Sequence, residues 1–203
     1  DAAKQQALRA HRPQTAGMSV ATADPPAVTA PALRRALIVG ARRVIAGRDE
    51  LNRINVFPVP DGDTGSNLAS TLGSVLQGAL SRRSRHIGEL LVGIGNDAID
   101  GARGNSGAIM AQFLVGLAEQ ARNAPVLDAA SLARAVRRGA DSARAALAQP
   151  IEGTILSVIS AFADALDEAA QQQVADPKGG FARALQRART ALADTPKQMA
   201  VLQ

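Results

Sequence analysis

Asn52-Arg-Ile-Asn-Val-Phe-Pro-Val-Pro-Asp-Gly-Asp-Thr-Gly-Ser-Asn67 sets two carboxylates, Asp61 and Asp63, on either side of a glycine. Pro58 and Pro60 stiffen the approach, because each proline fixes its own φ and drives the residue before it into extended geometry. Directly afterwards Leu68, Leu72, Val75 and Leu76 recur at helical spacing. The carboxylates are therefore expected in a rigid turn at the start of a helix. They repel each other, and no Lys or Arg lies within residues 54–81 to relieve them. Two readings fit this pattern. One is an Asx turn with a helix cap. The other is a metal–nucleotide site: hard divalent cations take carboxylate oxygens together with nucleotide phosphates, and the free N–H groups of a helix start suit a phosphate.

Outward from this turn the apolar pattern stays helical. Leu33, Leu37, Ala41, Val44 and Ile45 predict a helix from Pro31 to about Asn52, and a second runs from about Thr64 to Leu80. Ile87, Leu90, Leu91, Ile94 and Ala98 mark a third, and Ile109, Phe113 and Leu117 a fourth. A fifth spans about Asp128 to Leu147, and a sixth carries Ile155, Ile159, Phe162 and Leu166. Asp176-Pro-Lys-Gly-Gly180 breaks it, and a seventh carries Phe181, Leu185, Ala188 and Leu192 until Thr195-Pro196 stops it. Strand-like alternation is almost absent; only Ile54–Val59 has the character of a short extended piece. The expected fold is all-α, a bundle of six to eight helices in up-and-down order. Residues 1–30, rich in Ala, Gln and Pro, read as a flexible leader with one short helix near Ala3–Ala10, and residues 31–203 as one domain.

A chain of 203 residues can bury a full core. It has no cysteine, so neither a disulfide frame nor a thiolate metal site is available, which suits a cytoplasmic setting. No apolar run has the length of a membrane span, and no signal-peptide pattern opens the chain. The formal charge of +5 favours an anionic partner, yet the arginines are scattered and Trp and Tyr are absent. Without stacking aromatics the chain is not expected to bind nucleic acid. His11 and His86 read as ordinary surface histidines in a leader and a connector.

Asp61–Asn67, Gly101–Gly107 and Glu152–Thr154 share one design, glycine and small polar residues directly before a helix. Such turns present backbone amides and hydroxyls to phosphate oxygens. They precede alternate helices, so up-and-down order would bring all three to one end of the bundle. Familiar motifs fail. Gly101–Gly107 lacks the Lys of a P-loop, and Gly93-Ile-Gly95 has no third glycine in register. With Asp61 first, position twelve of an EF-hand is Leu72 instead of Glu. An aspartyl-phosphate role for Asp61 normally sits at the end of a parallel strand, and no sheet is expected here.

Together with Pro150-Ile-Glu-Gly-Thr-Ile-Leu156 and Thr195-Pro196…Val201-Leu202, these turns resemble the nucleotide-binding domain of the dihydroxyacetone kinase family. More closely, they resemble the amino-terminal kinase domain of bacterial fatty acid kinases, over about Leu33 to Gln203. The resemblance implies a barrel of eight antiparallel amphipathic helices with ATP or ADP at one end. It implies two Mg²⁺ ions on Asp61 and Asp63, the catalytic pair, with Asn55 as a third ligand in place of the upstream aspartate of the dihydroxyacetone kinase branch. Thr64, Gly65, Ser66 and Asn67 would follow the phosphates, and Gly104, Asn105, Ser106 and Gly107 would form the second phosphate loop. Thr154 and Ile155 would lie near base and ribose. The implied acceptor is a fatty acid presented by a separate acyl-binding protein, giving an acyl phosphate. A nucleotide subunit of a dihydroxyacetone kinase and a non-catalytic nucleotide-binding module are the alternatives. The family continues beyond the stretch that ends at Gln203, so the chain is expected to be a truncated piece of a longer protein, which would form a homodimer through further domains.

Overall fold

The computed structural model describes residues 26–56 and 59–198. Among these, the chain forms α1 (Ala30–Ala46), α2 (Arg48–Arg53), α3 (Thr64–Ser81), α4 (Ile87–Gly101), α5 (Gly104–Ala121), α6 (Ala129–Ala145), α7 (Ile155–Gln171) and α8 (Pro177–Gln198). The fold is an all-α bundle, as the helical spacing predicts. The helix proposed at Ala3–Ala10 and His11 lie outside the described residues. No described helix is long and apolar enough to cross a membrane.

Short connections between amphipathic helices make successive helices neighbours. α1 packs on α3, α3 on α4, α4 on α5, α5 on α6, α6 on α7 and α7 on α8. Paired contacts set their directions. The start of α3 meets the end of α4, where the Ser70 hydroxyl donates to the Gly101 carbonyl at 3.2 Å. Arg138 of α6 reaches back to Glu119 of α5 at 2.6 Å. By contrast α3 and α5 run parallel, with Gly104 against Asn67 and Gly107 against Thr71. Alternate helices therefore begin at the same end, which is what the three glycine-containing turns require.

α4 is the centre of the core. Ile87, Leu90, Leu91, Ile94 and Ala98 are all at most 1% exposed. His86 caps its start, the ring nitrogen accepting from the Glu89 amide at 3.4 Å. The histidine read as an ordinary connector residue thus has a local structural task.

Three details depart from the sequence expectation. The first helix stops at Ala46, because Gly47 leaves helical geometry at φ −87°, ψ 7° and closes its turn onto the Arg43 and Val44 carbonyls. The short α2 that follows has no buried residue. Pro196 does not stop the last helix, which continues to Gln198. A proline there cannot donate to the Leu192 carbonyl four residues back, and the Thr195 hydroxyl donates to it instead, at 2.8 Å. The buried stripe of α8 is Pro177, Gly180, Ala184 and Ala188, while Phe181, Leu185 and Leu192 stay 48%, 41% and 59% exposed. Small residues let α8 approach Leu166 and Ala169 of α7 closely, and Phe181 meets Phe162 edge to face at the margin, 5.2 Å between ring centres.

Packed structure also begins earlier than residue 31. Val28 exchanges two backbone hydrogen bonds with Leu127, at 2.7 and 3.0 Å, and Ala30 is fully buried. Residues 1–25 of the expected leader lie outside the described residues.

Candidate functional site

The first turn is held from outside by two asparagines of and just beyond α2. The Asn55 side-chain carbonyl accepts from the Thr64 amide at 3.0 Å and also from the Thr64 hydroxyl. Its NH₂ group donates to the Val59 carbonyl at 2.8 Å. Asn52 accepts from the Ser66 amide at 3.0 Å and donates to the Ser66 hydroxyl at 3.0 Å. A side-chain amide oxygen has two lone pairs, and those of Asn55 are both engaged. Asn55 thus braces the start of α3. The Thr64 and Ser66 amides both find side-chain acceptors in these asparagines.

Asp61 and Asp63 are left without such work. Both are exposed. Asp63 occupies the cap position of α3 at φ −110°, ψ −7° and makes no capping hydrogen bond with its side chain. Among the described residues neither carboxylate takes part in a salt bridge; the nearest one in sequence joins Arg48 to Asp49. The structure thus does not support the Asx-turn and cap reading, since the asparagines do the capping. Gly62 between the carboxylates has φ +69°, a conformation that favours glycine.

The second turn sits directly against the first. The Ser106 hydroxyl donates to the Thr64 carbonyl at 3.4 Å. Gly104 adopts φ +56°, and a Cβ there would stand 2.3 Å from the Asn67 side-chain nitrogen. Asn67 therefore covers the turn that opens α5. Gly107 is buried against Thr71. The Thr71 hydroxyl, fully buried, donates to the Asn67 carbonyl at 3.0 Å and approaches the Gly101 carbonyl at 3.4 Å. Asn105 is exposed on the first turn of α5. Sequence reasoning missed Thr71 and the bracing role of Asn52. Their signals are spacing alone: Thr71 lies one helical turn after Asn67, and Asn52 and Asn55 lie three apart.

The third turn reaches the same end of the bundle by a different route. Leu156 at the start of α7 is buried with Ile109 of α5 and Ala143 of α6, and Ile155 packs against this cluster. Its polar groups are satisfied internally. Thr154 accepts from the Leu156 amide at 3.3 Å and donates to the Ile151 carbonyl at 2.8 Å. Glu152 accepts from the Ser157 hydroxyl at 2.6 Å and pairs with Arg144. The Ser157 hydrogen bond, then the Arg144 guanidinium, hold the Glu152 carboxyl below its ordinary range. Thr154 thus acts as a helix cap, and among the described residues no hydrogen bond joins this turn to the other two.

Two exposed carboxylates on a braced turn, with no protein donor committed to them, fit a hard divalent cation. No group of three or more His, Cys, Asp or Glu side chains suited to a metal occurs among the described residues. Asp61 and Asp63 are the carboxylates that the first turn would offer such a cation.

The model of the DAK2 domain family matches residues 58–203. An uncharacterized protein of Staphylococcus saprophyticus is 35% identical over 166 residues, covering 82% of this chain and 30% of its own length. Uncharacterized proteins of Staphylococcus haemolyticus and Staphylococcus aureus strain USA300 are each 34% identical over the same shares. The chain spans less than a third of the length of these curated relatives, 30%.

Proposed function

Since the chain belongs to the DAK2 domain family, a nucleotide-binding, kinase-related module, we propose that it is the ATP-binding domain of a two-part phosphotransferase that phosphorylates a fatty acid. The observation that carries this reading is the idleness of Asp61 and Asp63. They stand exposed at a helix start whose capping is done by other residues.

In this reading Asp61 and Asp63 hold two Mg²⁺ ions, and the neighbouring turns of α3 and α5 receive the phosphates of ATP or ADP. Bound magnesium supplies the positive charge that phosphoryl transfer needs. Gly65, Asn67 and Gly104 to Gly107 bring backbone and small side chains close to the phosphates. Asn105 and Ser66 are exposed enough to donate to them. Thr154 fixes the start of α7, so that Ile155 borders the base and ribose. The acceptor carboxylate attacks the γ-phosphorus, an acyl phosphate forms and ADP leaves. The fatty acid arrives in a separate acyl-binding protein, because the turns described here offer no apolar chain-length pocket. Support for this acceptor comes from the Asn-Val-Phe-Pro-Val-Pro approach to Asp61. The setting is cytoplasmic.

The test supplies the domain with ATP, Mg²⁺ and a fatty-acid-loaded acyl-binding protein, and traps acyl phosphate with hydroxylamine. Acyl hydroxamate that requires all components supports the proposal. Phosphorylation of dihydroxyacetone with a triose-binding subunit, and none of the fatty acid, moves the domain to the triose branch. Nucleotide binding without transfer to either acceptor makes it a non-catalytic module.

A further inference from the structure

Ser66 is the third residue of α3, and its amide is the usual partner of a capping side chain at Asp63. Asn52 takes that amide instead, at 3.0 Å, and fastens the Ser66 hydroxyl with its own NH₂ group at 3.0 Å. Gly65 makes this approach achievable: a Cβ there would stand 2.8 Å from the Asn52 oxygen and 2.1 Å from the Arg48 carbonyl. Asp63 meanwhile stays at φ −110°, ψ −7°, away from the extended backbone of a capping residue, and its carboxylate makes no capping bond.

We infer that Asn52 is a positioning residue that keeps the Asp63 carboxylate available for a divalent cation by occupying the amide that would otherwise capture it. The metal half of this inference rests on the proposed function, while the capping half does not. An aspartate at the start of a helix has two competing uses, cap and ligand. A cap is worth about 1 kcal/mol, so a cation would have to displace it. Asn52 fills the cap from a different helix with a neutral group, which adds no charge beside Asp61 and Asp63. Removing it leaves the Ser66 amide without an acceptor, and Asp63 is the residue placed to supply one.

The experiment is a double-mutant cycle read by thermal unfolding in metal-free buffer, followed by Mg²⁺ titration of ADP binding. Asp63→Ala is expected to leave the midpoint unchanged in the unsubstituted chain, because no bond is lost. In the Asn52→Ala background the same change should lower the midpoint by roughly 2–4 °C, the shift of a cap of about 1 kcal/mol in a chain of this size. Asn52→Asp keeps an acceptor on the Ser66 amide and should show no such coupling, which guards against Asn52→Ala simply failing to fold. The half-saturating Mg²⁺ concentration should rise about fivefold in Asn52→Ala, that cap energy converted at 1.4 kcal/mol per tenfold. Additive midpoints, or an unchanged Mg²⁺ requirement, overturn the inference. Absence of Mg²⁺-dependent ADP binding in the unsubstituted chain overturns the proposed function instead, and the unfolding cycle still decides who caps α3.

Discussion

Gly65 is the position where one added methyl should do most damage. Its Cα lies so close to α2 that a Cβ would meet the Arg48 carbonyl at 2.1 Å, a backbone atom that cannot rotate aside. Gly65→Ala must therefore push α2 off the start of α3 and carry Asn52 away from Ser66. Overpacking of this kind costs about 1–3 kcal/mol. A lowered unfolding midpoint and weakened Mg²⁺-dependent nucleotide binding are expected together; an unchanged midpoint would show that α2 is not held there. In the sequence Gly65 is legible only as a small residue after two aspartates. What lies across from it is set by how α2 comes to rest on the start of α3, and local pattern carries no record of that contact. The same holds for Asn55. Its bracing contacts depend on where the Thr64 amide and hydroxyl come to lie, which residue type does not reveal.

The turn before α7 is held by charge as much as by shape. Glu152 bridges Ser157 at the helix start and Arg144 near the end of α6. Its carboxyl is held below the ordinary value of 4.5, first by the Ser157 hydroxyl and then by Arg144. A depressed folded pKa means that this stabilisation is present above about pH 4.5 and is lost as pH falls through the folded value. The pair is about half exposed, so its worth is at most about 1 kcal/mol. Glu152→Gln should therefore lower the denaturation midpoint at pH 7, and the gap to the unsubstituted chain should close as pH falls through the folded value. A gap that persists at low pH would place the effect in packing instead. Element by element, most helices were legible because their apolar residues repeat at the helical period over several turns. The break at Gly47 was not, since a glycine inside an apolar stripe is compatible with either outcome. The passage of α8 through Pro196 depends on the Thr195 hydroxyl taking the orphaned Leu192 carbonyl, a rescue invisible to a rule about proline. The buried face of α8 is not legible from spacing, because two stripes share it and the small one packs closer.

At the scale of the whole molecule, alternating helix direction gathers three turns at one end of the bundle. That much follows from short connections and an even number of helices between turns, and so it was readable from the sequence. Contact between the first two turns through Ser106 and Gly104, and the apolar link of the third through Ile109, Ala143 and Leu156, needed coordinates. The central claim is that this end binds a nucleotide through a cation held by Asp61 and Asp63. Calorimetric titration of ADP into the unsubstituted chain and into Asp61→Ala and Asp63→Ala, with Mg²⁺ and again with EDTA, tests it most directly. The account predicts saturable binding in the unsubstituted chain that vanishes on chelation and in both variants, with unfolding midpoints preserved because neither carboxylate has a partner among the described residues. Binding that is indifferent to EDTA, or retained in both variants, would contradict it.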